Sequence, residues 1–131
     1  MSLDGIDLLA ALQWLDLHAC PRLKSIAGVR HCWNLLHLEI TSCKAVTDIS
    51  SFAALKSLQE LHLDNDGDIE TLMPLQHCAL LEKLSFFGTT KILDGKISVV
   101  EGLPKLKTLQ FAPRRHYDRT REEIVGNVKS E

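Results

Sequence analysis

The sequence predicts a repeat architecture, a stack of strand-and-turn coils, and three observations predict it. Similar segments open on Leu12, Leu35, Leu58, Leu81 and Leu106, at steps of 23, 23, 23 and 25 residues. Each opens a short period-2 run: Leu36, Leu38 and Ile40 alternate with His37, Glu39 and Thr41, the pattern of a half-buried strand. Each run then gives way to apolar residues three apart, such as Val46, Ile49, Phe52 and Leu55. A fixed period of this length is the mark of a solenoid or array, and it governs everything else in the chain.

The elements follow in order. The units begin LQWLDLHACPRL, LLHLEITSCKAV, LQELHLDNDGDI, LEKLSFFGTTKI and LKTLQFAPRRHY. Two inward strand positions recur, Leu15/Leu38/Leu61/Leu84/Leu109 and Leu17/Ile40/Leu63/Phe86/Phe111. The period-3 ladders run Leu23-Ile26-Val29-Cys32, Val46-Ile49-Phe52-Leu55, Ile69-Leu72-Leu75-Cys78 and Ile92-Ile97-Val100-Leu103. The fourth unit absorbs its two extra residues around Asp94-Gly95. A three-residue repeat fits a 3₁₀ turn, in which residues i and i+3 eclipse. Each coil buries its apolar edge only by stacking on the next.

The pattern LxxLxLxxCxxLxxIxxLxxC resembles the leucine-rich repeat family. It is nearest to the short-repeat type of bacterial internalins and phosphatase-regulator proteins, with a cysteine variant similar to that of plant resistance receptors. The resemblance covers residues 3 to 112, with a partial unit before Leu12, and leaves 113 to 131 as a C-terminal cap or tail. It implies an α/β right-handed solenoid of about five coils. A parallel sheet would line the concave face, and 3₁₀ or short helical turns the convex one. It also implies that the residue after each strand turns inward to bond backbone groups. Cys20, Cys43, Asp66 and Thr89 stand at that point, and the ladder they form is expected to be weak, because cysteine and threonine do this less well than asparagine. Functionally it implies a protein-interaction module that forms part of a larger protein.

Composition bounds the remaining possibilities. At 131 residues the chain makes one domain, and with aromatics at 5% its core must be aliphatic. A net charge of −2 gives no bulk reason to expect nucleic acid or an anionic membrane as partner. No apolar run approaches the ~20 residues that span a bilayer, and MSLDGIDLL lacks the flank of a signal peptide. The four cysteines fit neither a disulfide scaffold nor a zinc signature, so reduced thiols in the cytoplasm are expected. No cofactor is expected.

Leu3, Ile6 and Leu9 fall three apart and lead into Leu12, as the second half of a coil would. The expectation is a fragment of a longer protein, or an uncapped edge open to self-association. At the other end Thr120 and Glu123 have capping-box spacing, with Ile124, Val125 and Val128 ready to cover the last coil. Arg114, Arg115, His116, Arg119 and Arg121 read as a solvated cap paired to Asp118, Glu122 and Glu123, against the alternative of a site for an acidic or phosphorylated partner.

Outward strand positions should form columns with neighbours about 4.8 Å apart: Trp14, His37, Glu60, Lys83, Thr108; then Asp16, Glu39, His62, Ser85, Gln110; then His18, Thr41, Asp64, Phe87, Ala112. Ser85, His62 and Glu39 lie in the order of nucleophile, base and orienting carboxylate. Free N–H groups for an oxyanion are nevertheless not expected in a paired sheet. His37, Glu39, Glu60 and His62 form a checkerboard of metal-ligand types, but splaying side chains weigh against tetrahedral closure, and no metal is expected. The expected use of the surface is non-catalytic recognition of a macromolecule through Trp14, Asp16, His18, His37, Glu39, Thr41, Glu60, His62, Asp64, Lys83, Ser85 and Phe87. Acidic groups outnumber Lys83 there, so the expected partner is a protein with a basic or hydroxyl-rich patch.

Overall fold

A computed structural model describes residues 10–125 of the chain. The expected positions at Leu3, Ile6, Leu9 and Val128 lie outside the described residues. Strands β1 (Trp14–His18), β2 (His37–Thr41), β3 (Glu60–His62), β5 (Lys83–Phe86) and β7 (Thr108–Phe111) build one parallel sheet in that order. The register is the one the 23-residue step demands: Leu15, Leu38, Leu61, Leu84 and Leu109 lie side by side, and Trp14, His37, Glu60, Lys83 and Thr108 follow on the opposite face. Two short strands, β4 (Asp68–Ile69) and β6 (Lys91–Ile92), pair in parallel on the side of the coils. Turns of 3₁₀ helix at Ala27–His31, Ser50–Ala54, Met73–His77 and Ile97–Val100 close the convex side.

Packing follows the two sequence periods. All four period-3 ladders are buried, and so are the inward strand residues from β2 to β7. Leu15 and Leu17 are only half-buried, because β1 is the edge of the described sheet. Phe86 and Phe111 stack in the core at 4.7 Å. The extra residues of the fourth unit fall where the spacing put them: β4 and β6 pair at a step of 23, and the turn at Gly95 (φ 66°) follows.

In the turn beyond each of the first four strands of this sheet one residue adopts the left-handed conformation: Ala19 (φ 54°), Ser42 (φ 59°), Asn65 (φ 56°) and Gly88 (φ 68°). That twist aims the next amide along the stack, where a side chain of the following coil takes it. The Cys20 N–H reaches the Cys43 sulfur. The Cys43 N–H donates to Asp66 Oδ1 at 2.8 Å, and the Asp66 N–H to Thr90 Oγ1 at 2.8 Å. This corrects the expected assignment of Thr89. Thr89 is exposed and donates to the Asp66 carbonyl at 2.8 Å, while Thr90, fully buried, holds the ladder position and also donates to the Leu63 carbonyl.

Asp66 is the anomaly in this ladder. It is 1% exposed, and its Oδ2 has no hydrogen-bond partner. Burial, reinforced by the Asp64 charge and only partly offset by the Cys43 N–H and Lys44, pushes its carboxyl up to about 7. All four cysteines carry thiols, and burial pushes the Cys78 thiol up to about 11, which makes it a small inert hydrophobe.

Residues 113–125 pack against the last described coil. Thr120 and Glu123 form the reciprocal capping box, at 3.2 and 2.8 Å, of a short helix α1 (Arg121–Val125) whose Val125 is buried. The basic residues serve the last coil more than they serve the acids beside them. Arg114 donates to the Gly88 and Thr90 carbonyls, Arg121 Nε to Leu109 O at 2.7 Å, and His116 Nε2 lies 2.7 Å from Ile92 O. The Tyr117 hydroxyl accepts the Ile92 N–H at 3.0 Å while its ring packs edge-on against Phe86 and Phe111. Arg119 pairs with Glu101, and Arg121 with Glu122.

Candidate functional site

The concave face is a three-column surface whose floor is more ordered than exposed cross-strand pairs would be. Every outward residue of β1 stands opposite its predicted neighbour on β2: Trp14 by His37, Asp16 by Glu39, His18 by Thr41. Glu60 and His62 then stand opposite His37 and Glu39, and Lys83 and Ser85 continue the columns. In the third column Asp64 and Phe87 are linked, since Asp64 Oδ1 accepts the Phe87 N–H at 2.8 Å.

The side chains do not splay apart. The Trp14 indole lies flat on the His37 imidazole, centroids 3.6 Å apart and planes 7° from parallel, so that His37 is 5% exposed while Trp14 remains 60% exposed. His37 Nε2 faces Asp16 Oδ1 at 3.3 Å and Glu39 Oε1 at 3.5 Å; its Nδ1 faces Glu60 Oε1 at 3.5 Å. None of these approaches makes a hydrogen bond, and both ring nitrogens are buried without one. Glu39 turns instead to His18 Nε2, at 3.3 Å, and accepts from Thr41.

Across β3 and β5 runs a continuous chain of four polar groups. Glu60 Oε2 lies 2.7 Å from His62 Nε2; His62 Nδ1 lies 2.7 Å from Ser85 Oγ; Ser85 Oγ donates to Asp64 Oδ2 at 2.9 Å. Ser85 has one proton and gives it to Asp64, so its oxygen accepts from the His62 Nδ1–H. Burial pulls the Glu60 carboxyl upward, but the His62 hydrogen bond and the charges of His37, His62 and Lys83 win and hold it below the usual carboxylate range.

This geometry corrects the hydrolase-like arrangement. The carboxylate on His62 is Glu60, two residues along the same strand, not Glu39 across the sheet. Ser85 is 4% exposed and its proton points away from the imidazole. The backbone amides around it are taken, by Ser85 O from Leu63 N and by Asp64 from Phe87 N. The metal checkerboard changes too: His37, Glu60 and His62 bring ligand atoms within 4.8 Å of one another, and Glu39 groups with Asp16 and His18 instead. Sequence alone gave no sign of Asp64 closing the polar chain. An i, i+21 partnership across the sheet has no periodic signature, and the acidic side chain leaves its own column to make it.

Parallel strands in register, inward LxL pairs and 3₁₀ turns on the outside define a leucine-rich-repeat solenoid. Solved structures agree. An internalin (InlF) from Listeria monocytogenes superposes with a TM-score of 0.69 at 16% identity, over 83% of this chain and 31% of that one. Internalin C2 from the same species superposes with a TM-score of 0.56 at 21% identity, over 88% of this chain and 70% of that one. The chain thus spans about a third of the first protein's length, and at these identities the likeness is one of fold. No protein-family model and no curated protein matches the sequence.

Proposed function

We propose that the chain is a non-enzymatic interaction module that holds a protein partner on its concave face. The observation that carries this is the pairing of exposed aromatics with an acidic floor. Trp14 and Phe87 are 60% and 46% exposed at opposite sides of the face, and Asp16, Glu39, Glu60 and Asp64 lie between them against Lys83. Aromatics on a rigid surface are the usual energetic anchors of an interface. The acidic floor favours a partner patch that is basic or rich in hydroxyl groups. The rigid sheet fits this role, because its side chains are fixed before the partner arrives and little ordering cost remains. The thiols favour a reducing compartment, the cytoplasm.

Affinity capture from the source cells with Trp14→Ala and Phe87→Ala variants tests this. Each substitution is expected to weaken capture by about 2 kcal/mol, or roughly 30-fold, and Phe87→Ala, whose ring covers no buried group, to leave the melting temperature unchanged. If both variants capture normally while an Arg114→Ala/Arg115→Ala variant fails, the partner docks on the C-terminal cap and the concave-face assignment is wrong.

A further inference from the structure

We propose that His37, Glu60 and His62 form a binding site for a divalent transition-metal ion of the zinc class, set into the floor of the concave face. Three independent features of the site point to it.

The first is an orphan. His37 is at least nine-tenths buried, sealed from above by the Trp14 indole, and neither of its ring nitrogens makes a hydrogen bond. A buried polar atom left unpaired is costly, and native structures retain few of them. Its Nδ1 is aimed at Glu60 Oε1, and a cation between the two would satisfy both.

The second is the choice of ligand types and their convergence. Two imidazoles and one carboxylate suit zinc, copper or nickel, and poorly suit calcium or magnesium, which take oxygen. The ligand atoms lie within 4.8 Å of one another, from 2.7 Å between His62 Nε2 and Glu60 Oε2 to wider separations. A tetrahedral ion with bonds of about 2.1 Å holds its ligands about 3.4 Å apart. Closing the site therefore takes rotamer adjustments, with the backbone of β2 and β3 left in place. The strand supplies Glu60 and His62 from the same face, two residues apart, and His37 is the registered neighbour of Glu60. A fourth position remains open to water or to a partner's side chain.

The third is the outer layer. Metal-binding histidines characteristically give their other N–H to a carboxylate or hydroxyl, which fixes the tautomer. His62 gives Nδ1–H to Ser85, itself anchored on Asp64, so the Nε2 lone pair is the one that faces Glu60. His37 Nε2 faces Asp16 and Glu39 at 3.3 and 3.5 Å without a hydrogen bond, and its Nδ1 faces Glu60. Lys83, the neighbour of Glu60 on β5, is exposed.

Titrating the whole chain with Zn²⁺, and separately with Co²⁺ as a spectroscopic probe, tests the site. The expected result is one ion per chain, a rise in melting temperature, and a Co²⁺ spectrum with ligand-field bands but no thiolate charge-transfer band. His62→Gln and Glu60→Gln, both at half-exposed positions, are expected to lower affinity by at least ~100-fold, and Ser85→Ala by about 10- to 100-fold. His77→Gln, an exposed histidine on the convex side, is expected to change nothing. Because Ser85 touches no ion, its effect on affinity at an unchanged circular dichroism spectrum separates orientation of His62 from loss of fold. No saturable binding, equal binding by His62→Gln, or a thiolate band that assigns the ion to cysteine would each overturn the proposal.

Discussion

The first coils and the later ones close the same turn with different chemistry. In the first two the residue after the left-handed turn is a thiol: Cys20 Sγ reaches its own strand's His18 carbonyl at 3.4 Å, and Cys43 Sγ the Thr41 and Leu17 carbonyls at 3.4 and 3.7 Å. In the next two the inward atoms are oxygens, and the amides they accept lie at 2.8 Å. The backbone hardly registers the difference, since Ala19, Ser42 and Asn65 have φ within a few degrees of one another. The slot therefore selects for an inward side chain that accepts the previous coil's amide. Sulfur meets that need weakly, a hydroxyl meets it well, and a carboxyl accepts the amide but brings a second oxygen, Asp66 Oδ2, into the core without a partner.

Four substitutions would sharpen or break this comparison. The largest effect is expected at Thr90. Thr90→Val keeps the shape but leaves the buried Asp66 N–H and Leu63 carbonyl unpaired, at a cost of roughly 2–4 kcal/mol in urea unfolding. Cys43→Ala should cost about 1 kcal/mol, the ordinary size of a core truncation. Equal losses would mean that oxygen and sulfur do the same job.

Asp66→Asn should act through pH. The folded carboxyl keeps its proton up to about pH 7, whereas the unfolded one titrates near 3.8. Between those values the folded state binds more protons, so this group's contribution is fully present below about pH 4 and is lost as pH rises through 7. Asparagine keeps the acceptor for Cys43 and cannot ionise. The melting temperature of the variant should equal or slightly trail the parent's at pH 4 and exceed it at pH 8, by a margin on the order of a few kcal/mol of stability. A margin independent of pH would mean that Asp66 is ionised throughout.

The smallest effect is expected at Ser42→Gly. It removes the left-handed penalty of about 1–2 kcal/mol but adds unfolded-state entropy of about 0.5–1 kcal/mol. A net gain of a few tenths to 1 kcal/mol in thermal unfolding is expected, as the fourth coil already achieves with Gly88. A loss would show that the serine side chain has a role of its own.

Much of the fold was legible because the period is strict. Once Leu15, Leu38 and Leu61 are aligned, the sheet register and the three outward columns follow with no further information. Legibility ended where one side chain chose among several neighbours. Glu60 and Glu39 are both one step from His62, and only the rotamers decide that Glu60 takes it. Thr89 and Thr90 are adjacent, and a local shift after Gly88 hands the slot to the second. The burial of His37 depends on how the Trp14 ring lies, which no pattern of residue types encodes.

The ladder of amides also has a direction. Each coil's turn is completed by a side chain about 23 residues further along: Cys20 waits for Cys43, Cys43 for Asp66, Asp66 for Thr90. On a ribosome adding 5–20 residues per second, each newly emerged turn stays unfinished for roughly 1 to 5 s until its successor arrives. The turn around Thr90 is finished by the segment that follows Phe111. Arg114, His116 and Tyr117 supply the missing partners for Gly88, Thr90 and Ile92 from the tail. In the folded stack, residues 114–117 thus satisfy beside the last described turn what the following coil satisfies at the turns before it.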